Sequence, residues 1–504
     1  MNINVLELLE SAAARWPDRV ALSGGGESLT FARLRDRARA AGSFLLARGI
    51  SSVPVLVCMG RRPETVAAYF GAVYAGCPYL PVEEDAPPRR ARQILEVLSA
   101  GRRARPAAFC DAGTRARLEG LLEADALYDA GQAMQTPPDA AALARARASA
   151  IDADPVYTVF TSGSTGVPKG VTACHRNVLD YAHSLTGALG FDGDTVFGVQ
   201  APLSIDACLK ELLAVLLTGA RAVLIPGNLF MFPLKLAEFL NEHEINTLCW
   251  TASALTMLSA YGALEEEPLR SVRTVAFGGE APPPAQVARW RAALPGARLF
   301  NLYGPTEATG MSCWYEIPQA VSPDRPVPAG KPFPNTAILL IGEDGNAAPP
   351  GETGEIYIRG AGVTPGYWGD PERTDAVFVQ NPLHRAFRDP VYRTGDLGRY
   401  DENGDLVFVS RRDGQVKHMG RRIELAEIEL CAAEAEDVRR ACCVHDAGRS
   451  RLTLFYEGGA APAEVAAYLR ERLPRYMLPQ AYRPVERLPV TDSGKTDRER
   501  LKTL

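Results

Sequence analysis

The residues most suited to chemistry lie between positions 157 and 170, where a loop of hydroxyls and glycines ends in one lysine. A short apolar, β-branched run at 157–160 predicts a buried strand. The loop after it carries four Ser or Thr side chains and two glycines before Lys169. Glycines let the backbone approach a phosphate, amides and hydroxyls donate to its oxygens, and lysine supplies positive charge. This pattern predicts a nucleotide phosphate loop, with an ordinary Ser/Gly turn as the alternative.

The loop is not the common P-loop of nucleoside triphosphatases. That motif needs Gly-Lys-Ser/Thr in direct succession, whereas Val167 and Pro168 separate Gly166 from Lys169. The chain also has no G-x-G-x-x-G spacing, which excludes the usual dinucleotide fingerprint.

A second group of polar residues follows an apolar run at 301–307, which reads NLYGPTE. Tyr303 offers a flat face to a base, and Glu307 offers a carboxylate to a magnesium ion that also touches phosphate. The alternative is a strand end followed by an ordinary surface glutamate.

Two further turns carry candidate ligand-binding residues. The tetrapeptide 278–281 follows a predicted strand, at the position where α/β sheets bind ligands. In the segment 392–397, Asp396 lies in a turn, and a carboxylate that accepts two hydroxyl hydrogen bonds is a common way to hold ribose. A capping or turn aspartate is the alternative for Asp396.

Alternating strand and helix signals predict a layered α/β architecture for the elements that position these residues. The predicted helices are 6–16, 30–48, 63–75 and 178–189; the predicted strands are 19–22, 53–59, 76–82, 196–199, 222–225, 247–250 and 274–277. Residues 101–150 are weakly periodic and are predicted to be surface structure. Short strands at 338–341, 355–358 and 366–368 predict a β-rich subdomain.

A polar, charged stretch at 410–417 predicts a domain boundary. We expect an N-terminal core at 1–411 and a small, mobile α+β lid at 412–504, in which a helix starts within 421–429. With 504 residues, more than one domain is expected in any case.

Composition excludes several classes of protein. The hydrophobic fraction of 46% and the charged fraction of 23% are typical of soluble globular proteins, and the net charge of −5 argues against nucleic acid or a membrane as partner. Glu7 and Glu10 argue against a signal peptide, and Arg221 interrupts the longest apolar run, so we expect a cytoplasmic protein. The ten cysteines and six histidines show no metal-binding spacing, and we interpret the cysteines as buried apolar residues.

In their order along the chain, these motifs resemble those of the adenylate-forming superfamily, which includes acyl-CoA synthetases, luciferases and the adenylation domains of nonribosomal peptide synthesis. The resemblance covers the phosphate loop, the 301–307 heptad, 354–356 with 366–368, the Asp396 turn, 411–429 and Lys495. The most similar members are amino-acid adenylation domains and stand-alone D-alanine–carrier-protein ligases.

The resemblance implies ATP and Mg²⁺ as cofactors and assigns roles by position. The implied ATP-binding residues are Thr161, Ser162, Gly163, Ser164, Thr165, Gly166, Lys169, Gly279, Glu280, Ala281, Asn301, Tyr303, Gly304, Thr306, Asp396, Arg411 and Lys495. Glu307 is the implied metal ligand, Asp413 the hinge, and Lys495 the catalytic lysine. Without the resemblance, Lys495 on a Ser-Gly turn reads as an ordinary surface charge.

The resemblance also implies an amino-acid substrate, because Asp206 fills the position that binds an α-ammonium group. The implied substrate-binding residues are Asp206, Ala207, Lys210, Cys249, Ala276, Gly278, Leu302, Gly310 and Met311. Lys210 is the exception in a mostly small, apolar set, and a buried ammonium needs an anionic partner. It meets an acidic substrate side chain, pairs with Asp206 one helical turn away, or points to solvent.

We therefore expect ATP-dependent formation of aminoacyl-AMP with release of pyrophosphate, followed by transfer to the phosphopantetheine thiol of a carrier protein. Because no carrier segment follows Lys495 in the sequence, we expect that carrier to be a separate protein, with coenzyme A as the rival acceptor. The alternatives are an acyl-CoA ligase for a small carboxylic acid and a non-catalytic ATP-binding scaffold. The sequence departs from the family pattern at Ser410, His418, Met419 and Ala426, which lie near the expected hinge and lid.

Overall fold

The computed structural model describes residues 3–99, 106–163, 166–260, 262–322, 325–412, 415–446, 449–489 and 496–502. Asp413 and Lys495, the expected hinge and catalytic lysine, lie outside these residues, as do Ser164 and Thr165 of the phosphate loop.

The largest sheet has nine strands, six of which are parallel neighbours. Its strands in spatial order are Lys331–Pro332, Cys313–Ile317, Arg298–Tyr303, Thr274–Gly278, Thr247–Thr251, Val196–Val199, Arg221–Leu224, Val20–Gly24 and Glu27–Thr30. Parallel strands buried on both faces read as continuous apolar runs, which explains why the sequence predicts them well.

A second sheet of seven strands carries the phosphate loop. Its strands in spatial order are Gly366–Tyr367, Lys169–Cys174, Pro155–Thr161, Tyr79–Pro81, Val55–Cys58, Ala107–Cys110 and Leu127–Asp129. The loop thus connects two antiparallel neighbours, in which Thr161 pairs with Lys169. This fixes the lysine at the mouth of the loop.

Helices cover the two sheets. Those of the first 293 residues are Leu6–Arg15, Phe31–Leu46, Pro63–Tyr74, Pro88–Ser99, Arg115–Leu118, Ala130–Ala133, Ala140–Ala148, His175–Leu189, Leu209–Thr218, Pro233–Glu242, Ala252–Ala260, Ala263–Glu266 and Pro284–Ala293. The Thr30 side chain accepts a hydrogen bond from the backbone amide of Arg33, so it caps the second helix as the sequence predicts. The main core packs between the sheets, with Tyr157, Phe197 and Phe300 among its buried aromatics.

A third sheet of five strands forms the predicted β-rich part. Its strands are Thr336–Ile341, Gly354–Gly360, Pro390–Tyr400, Phe378–Gln380 and Leu406–Arg411, and the helix Pro371–Val377 lies beside it. The assignment of 366–368 to this subdomain is wrong: Gly366–Tyr367 pairs with Lys169–Cys174 in the seven-stranded sheet. That pairing brings Tyr367 to the phosphate loop.

The C-terminal segment, residues 412–504, contains a hairpin and a three-stranded sheet. The hairpin strands are Gln415–His418 and Arg421–Glu424; the sheet strands are Val438–Asp446, Arg451–Gly458 and Ala481–Val485; the helices are Leu425–Ala433, Pro462–Arg470 and Arg498–Lys502. The helix expected within 421–429 therefore starts only at Leu425, after a strand. The boundary at 411/412 remains a proposal; it falls directly after the last strand of the five-stranded sheet.

The mixed α/β fold class predicted from the sequence is confirmed, but residues 106–150 are not merely surface structure. They contain Ala107–Cys110, all four residues of which are buried, and Leu127–Asp129. Short alanine-rich strands carry little β-propensity, so their burial between neighbours, not their composition, makes them strands.

The cysteines behave as the sequence predicts, since all ten are buried and free. Among the described residues, no helix has the length and apolarity that crossing a membrane requires.

One buried histidine, His418, stands out because folding removes it from water. His418 is fully buried in the hairpin, and its ring lies 5.3 Å from that of His445. Within the described part of the chain, neither ring nitrogen of His418 has a hydrogen-bond partner. Burial, with a smaller contribution from His445, lowers the pKa of His418 from 6.5 to about 4, against the opposing charge of Glu280.

We predict that acidification destabilises the fold through His418. The folded state holds the His418 ring neutral. The contribution of His418 to the free energy of unfolding is therefore complete above pH 6.5 and is lost as the pH falls toward 4. For such a group, proton linkage predicts a loss of about 2 kcal/mol in the free energy of unfolding between pH 7.5 and pH 5. His418→Ile should therefore reduce the loss of unfolding free energy over this range, measured from urea midpoints.

His183→Gln is the matched control, because His183 is exposed on its helix. It should leave the pH dependence of the wild type unchanged. An identical pH dependence for wild type and His418→Ile would contradict the argument.

Candidate active site

The candidate site lies where the parallel strands of the nine-stranded sheet end. Tyr303 and Gly278 are the last residues of neighbouring strands, so the residues after them meet at one edge of the sheet. In open α/β sheets this edge is where ligands bind. The phosphate loop of the seven-stranded sheet reaches the same place, because Lys169 contacts Glu307.

Glu307 is the electrostatic centre of the site. Its side chain is fully buried and is held by three groups. Arg422 donates to both carboxylate oxygens at 3.0 Å, Lys169 Nζ lies 3.1 Å from Oε1, and the Tyr367 hydroxyl donates to Oε1 at 2.8 Å. Burial raises the pKa of Glu307, but the charges of Arg422 and Lys169 outweigh it and hold that pKa well below its ordinary value.

Lys169 is positioned by the same cluster. It is 9% exposed, and it also donates to the Tyr367 hydroxyl at 3.1 Å. Burial and the neighbouring Arg422 lower the pKa of Lys169, while Glu307 opposes them. A lysine held this way can exchange its carboxylate partner for a phosphate oxygen at little cost in geometry.

The residues expected to bind base and ribose also meet. The Tyr303 hydroxyl donates to Asp396 Oδ2 at 2.6 Å, and Arg411 pairs with Oδ1 of the same carboxylate. Asp396 and Arg411 face each other as registered partners on adjacent strands. Lys417 Nζ lies 5.7 Å from the centroid of the Tyr303 ring, on a face that a base could otherwise use.

The hairpin, residues 415–424, covers the site by contacts with each candidate motif. The backbone amide of Gly420 donates to Glu280 Oε1 at 3.0 Å, and Ser162 donates to the carbonyl of Arg422 at 2.8 Å. The amide of Glu424 donates back to Ser162 at 3.2 Å. The hairpin therefore occupies hydrogen-bonding positions that phosphate and nucleotide would need.

The helix after the hairpin adds two more contacts. Glu427 accepts from the amide of Gly163 at 3.2 Å and forms a buried ion pair with Arg90 at 3.0 Å. Thus a phosphate-loop amide donates to a protein carboxylate, as it would to an anionic ligand.

The candidate substrate residues form a compact group. Gly278 lies against Met311 and Leu302, since a Cβ at this glycine would be 3.2 Å from Met311 Cε and 3.9 Å from Leu302 Cβ. Cys249 and Ala276 are registered partners on adjacent strands and are both buried. Ala207 is half-buried beside them in the short 3₁₀ turn Asp206–Cys208.

Asp206 stands between this group and the nucleotide residues. It is 8% exposed, and burial raises the pKa of its carboxyl against the opposing effects of a hydrogen bond from Thr306 and the charge of Lys210. The negative charge of Glu307 also acts on it. The candidate ammonium-binding carboxylate therefore lies within electrostatic range of the candidate metal ligand.

Lys210 is buried, so the alternative in which it points to solvent is wrong. It is 4% exposed, and Nζ donates to the carbonyl of Ala207 at 2.5 Å. Asp206 attracts it electrostatically, but within the described ranges it forms no direct ion pair. The pairing with Asp206 is thus weaker than a hydrogen-bonded salt bridge.

Other candidates take different positions. Asn301 donates its amide to the carbonyl of Pro328 at 2.8 Å, and Ala281 is exposed. Gly304 packs against the 310–312 backbone, where a Cβ would be 2.4 Å from the carbonyl oxygen of Gly310. Gly166 and Gly279 both have positive φ, at 76° and 78°.

Sequence reasoning missed three residues of the site: Arg422, Tyr367 and Lys417. All three fall within motifs that carried the resemblance, but nothing in their spacing shows that they reach Glu307 or Tyr303. Beside them, a cavity of about 830 Å³ opens between Lys169, Tyr392, Arg412 and Arg422.

A model of the family described as "AMP-binding enzyme" matches residues 9–368. A linear gramicidin synthase of Brevibacillus parabrevis is 32% identical over 504 residues, covering 98% of this chain and 9% of that protein. A plipastatin synthase of Bacillus subtilis (strain 168) is 32% identical over 500 residues, covering 98% of this chain and 19% of that protein. The chain thus spans less than a fifth of the length of these two relatives.

Among solved structures, PA1221, an NRPS protein containing adenylation and PCP domains, matches with a TM-score of 0.83 and 27% identity, over 99% of this chain and 97% of that chain. Its likeness extends to the C-terminal segment, beyond the residues that the family model matches. The chain therefore belongs to the AMP-binding enzyme family, the adenylate-forming ligases, and it is similar to an NRPS protein that contains an adenylation domain.

Proposed function

We propose that this chain activates an amino acid as aminoacyl-AMP and transfers it to the phosphopantetheine thiol of a carrier protein. The observation that carries the proposal is the position of Asp206. Its buried carboxylate accepts a hydrogen bond from Thr306 and feels the charge of Glu307, so an α-ammonium bound there would bring the neighbouring carboxylate of an amino acid toward the nucleotide. The PCP domain of PA1221 and the peptide synthetases among the relatives support the acceptor.

In this proposal the substrate carboxylate attacks the α-phosphorus of ATP, and pyrophosphate leaves. Negative charge spreads over the phosphate oxygens in the transition state, so positioned cations supply most of the stabilisation. Lys169 is one such cation, and Lys495 is proposed as the one that bridges carboxylate and α-phosphate.

Glu307 fits the role of a magnesium ligand. Mg²⁺ keeps several waters and commonly takes one or two carboxylates together with substrate phosphates, so a single buried carboxylate suffices. The role is supported by the two cations, Arg422 and Lys169, that the carboxylate already pairs with in this arrangement. When bound, the ion would neutralise charge on the phosphates.

The contacts of the hairpin imply that it must withdraw before nucleotide binds. Arg422 holds Glu307 and Lys417 lies over Tyr303, so both occupy positions that the proposed ligands need. We propose that the C-terminal segment turns about Asp413 between the two half-reactions. Residues after Lys495 stay with that segment, since Arg498 pairs with Glu429 and donates to the carbonyl of Cys443.

We also propose a substrate with an acidic or polar side chain. Lys210 is buried in the candidate pocket without a direct ion pair within the described residues, and the pocket is otherwise small and apolar. An anionic side chain would provide the partner that a buried ammonium needs.

The test of the whole proposal is pyrophosphate exchange into ATP with a panel of amino, aryl and fatty acids. We expect exchange with one or a few amino acids and AMP as the nucleotide product. Exchange with aryl or fatty acids alone would favour an acyl-CoA ligase, and exchange with no acid would favour a non-catalytic ATP-binding protein.

Lys495→Ala should slow aminoacyl-AMP formation by about 10²–10³-fold, by analogy with the loss of one electrostatic donor to a transition state. Single-turnover formation of the adenylate is the direct measurement. Lys331→Ala, at an exposed strand position, is the control and should leave the rate unchanged. An unaltered rate in Lys495→Ala would remove this lysine from the chemical step.

Asp206→Asn should lower kcat/KM for amino acids by about 30–5,000-fold, since removing one partner of a desolvated charge pair costs about 2–5 kcal/mol. The corresponding des-amino acids should be affected far less. Exchange kinetics with matched pairs of acids measure this difference, and Asp194→Asn, at an exposed position, is the control. Equal losses for both members of a pair would mean that Asp206 does not bind the ammonium.

A further inference from the structure

Four buried polar atoms lie unpartnered around the candidate substrate pocket. Within the described residues, the hydroxyls of Tyr157 and Tyr181 and both carboxylate oxygens of Glu211 have no hydrogen-bond partner. Tyr157 and Glu211 are fully buried, and Tyr181 is 4% exposed. A buried polar group without a hydrogen bond is costly, so four such atoms near one pocket favour a polar ligand as their partner.

These groups adjoin residues already assigned to the pocket. The Tyr181 hydroxyl lies 3.1 Å from where a Cβ of Gly310 would be, so only glycine leaves room for it. Tyr181 interacts electrostatically with Asp206, Glu211 and Cys249. Glu211 acts on Cys249 together with Lys210, which places both charges beside one pocket residue. None of the sequence motifs pointed to Tyr181 or Glu211.

Two cations, Lys210 and Arg61, act on the buried carboxyl of Glu211. The groups that interact with it from its own helix and from the elements packed against it are Lys210, Arg61, Cys208, Cys249 and Tyr181. Burial keeps the thiols and the phenol neutral by raising their pKa values. Arg61 donates to the carbonyls of Val199, Ala201 and Ile225, so it supplies charge without a direct bond to Glu211.

Burial and charge act on the proton of Glu211 in opposite directions before substrate binds. Burial raises the pKa of Glu211 to about 7, against the attraction of Lys210 and Arg61. A second negative charge brought close to this carboxyl raises its pKa further, because like charges in a buried site cannot both stay ionised.

We propose that Glu211 and Tyr181 determine specificity for an acidic amino-acid side chain, with Glu211 taking up a proton from solvent when that side chain binds. The neutral acid then donates a hydrogen bond to the substrate carboxylate, Tyr181 donates a second, and Lys210 supplies the positive charge. An amide side chain binds without this proton. The proposal rests on the amino-acid activation proposed above.

The test compares acids with their amides as a function of pH. L-Glutamate and L-aspartate are assayed by pyrophosphate exchange between pH 6.5 and 8.5, beside L-glutamine and L-asparagine. Above pH 7, KM for the acid should rise by up to about tenfold per pH unit, because each acid must bring one proton, whereas KM for the amide stays flat. Calorimetry in two buffers of different ionisation enthalpy should show uptake of a proton with the acid alone.

Glu211→Gln keeps the shape of a protonated acid, so it should still accept the acidic substrate while losing both the pH dependence and the proton uptake. Tyr181→Phe should raise KM for the acid and leave the pH dependence in place. Glu238→Gln, on an exposed helix position, is the control and should match wild type.

The outcomes separate this inference from the function on which it rests. Exchange with an amino acid but not with either acid would overturn the inference and leave amino-acid activation standing. The same holds if Glu211→Gln keeps the full pH dependence of the acid. Exchange with no amino acid at all would instead overturn the proposed function.

Discussion

The site is built around one carboxylate that is completely removed from water. Glu307 stays ionised there only because Arg422, Lys169 and Tyr367 surround it. Removing one partner of such a buried pair typically costs about 3–5 kcal/mol, since the remaining charge is then uncompensated. Every arrangement of the site must therefore provide Glu307 with positive charge, from the hairpin or from a metal ion with its phosphates.

This requirement connects the proposed catalysis with the proposed movement of the C-terminal segment. Arg422 belongs to the hairpin, whereas Lys169 and Glu307 belong to the core sheets, so the ion pair spans the proposed domain boundary. The hairpin also places Lys417 over Tyr303 and Gly420 on Glu280. In the proposed cycle, a ligand that supplies its own cation and its own planar base would replace these contacts.

The candidate substrate pocket differs from the Glu307 cluster, because several of its buried polar atoms lack a hydrogen-bond partner within the described ranges. Lys210 has only a backbone carbonyl, and Glu211 and Tyr181 have no partner within the described ranges. A fully satisfied buried network rigidifies one arrangement, whereas an unpaired buried polar group is costly until a partner reaches it. Discrimination by unmet hydrogen bonds is also stronger than discrimination by apolar contacts.

The sequence by itself determined the fold class, most helices and parallel strands, and the motifs of the site, because apolar period and loop chemistry are local properties. The strand Val196–Val199 and the cap at Thr30 follow directly from such signals. Only the tertiary structure decided that Gly366–Tyr367 joins the seven-stranded sheet, that Arg422 reaches Glu307, and that Glu211 is buried beside Lys210. These three features depend on contacts between residues far apart in the chain. Burial in addition changes the pKa of a charged side chain.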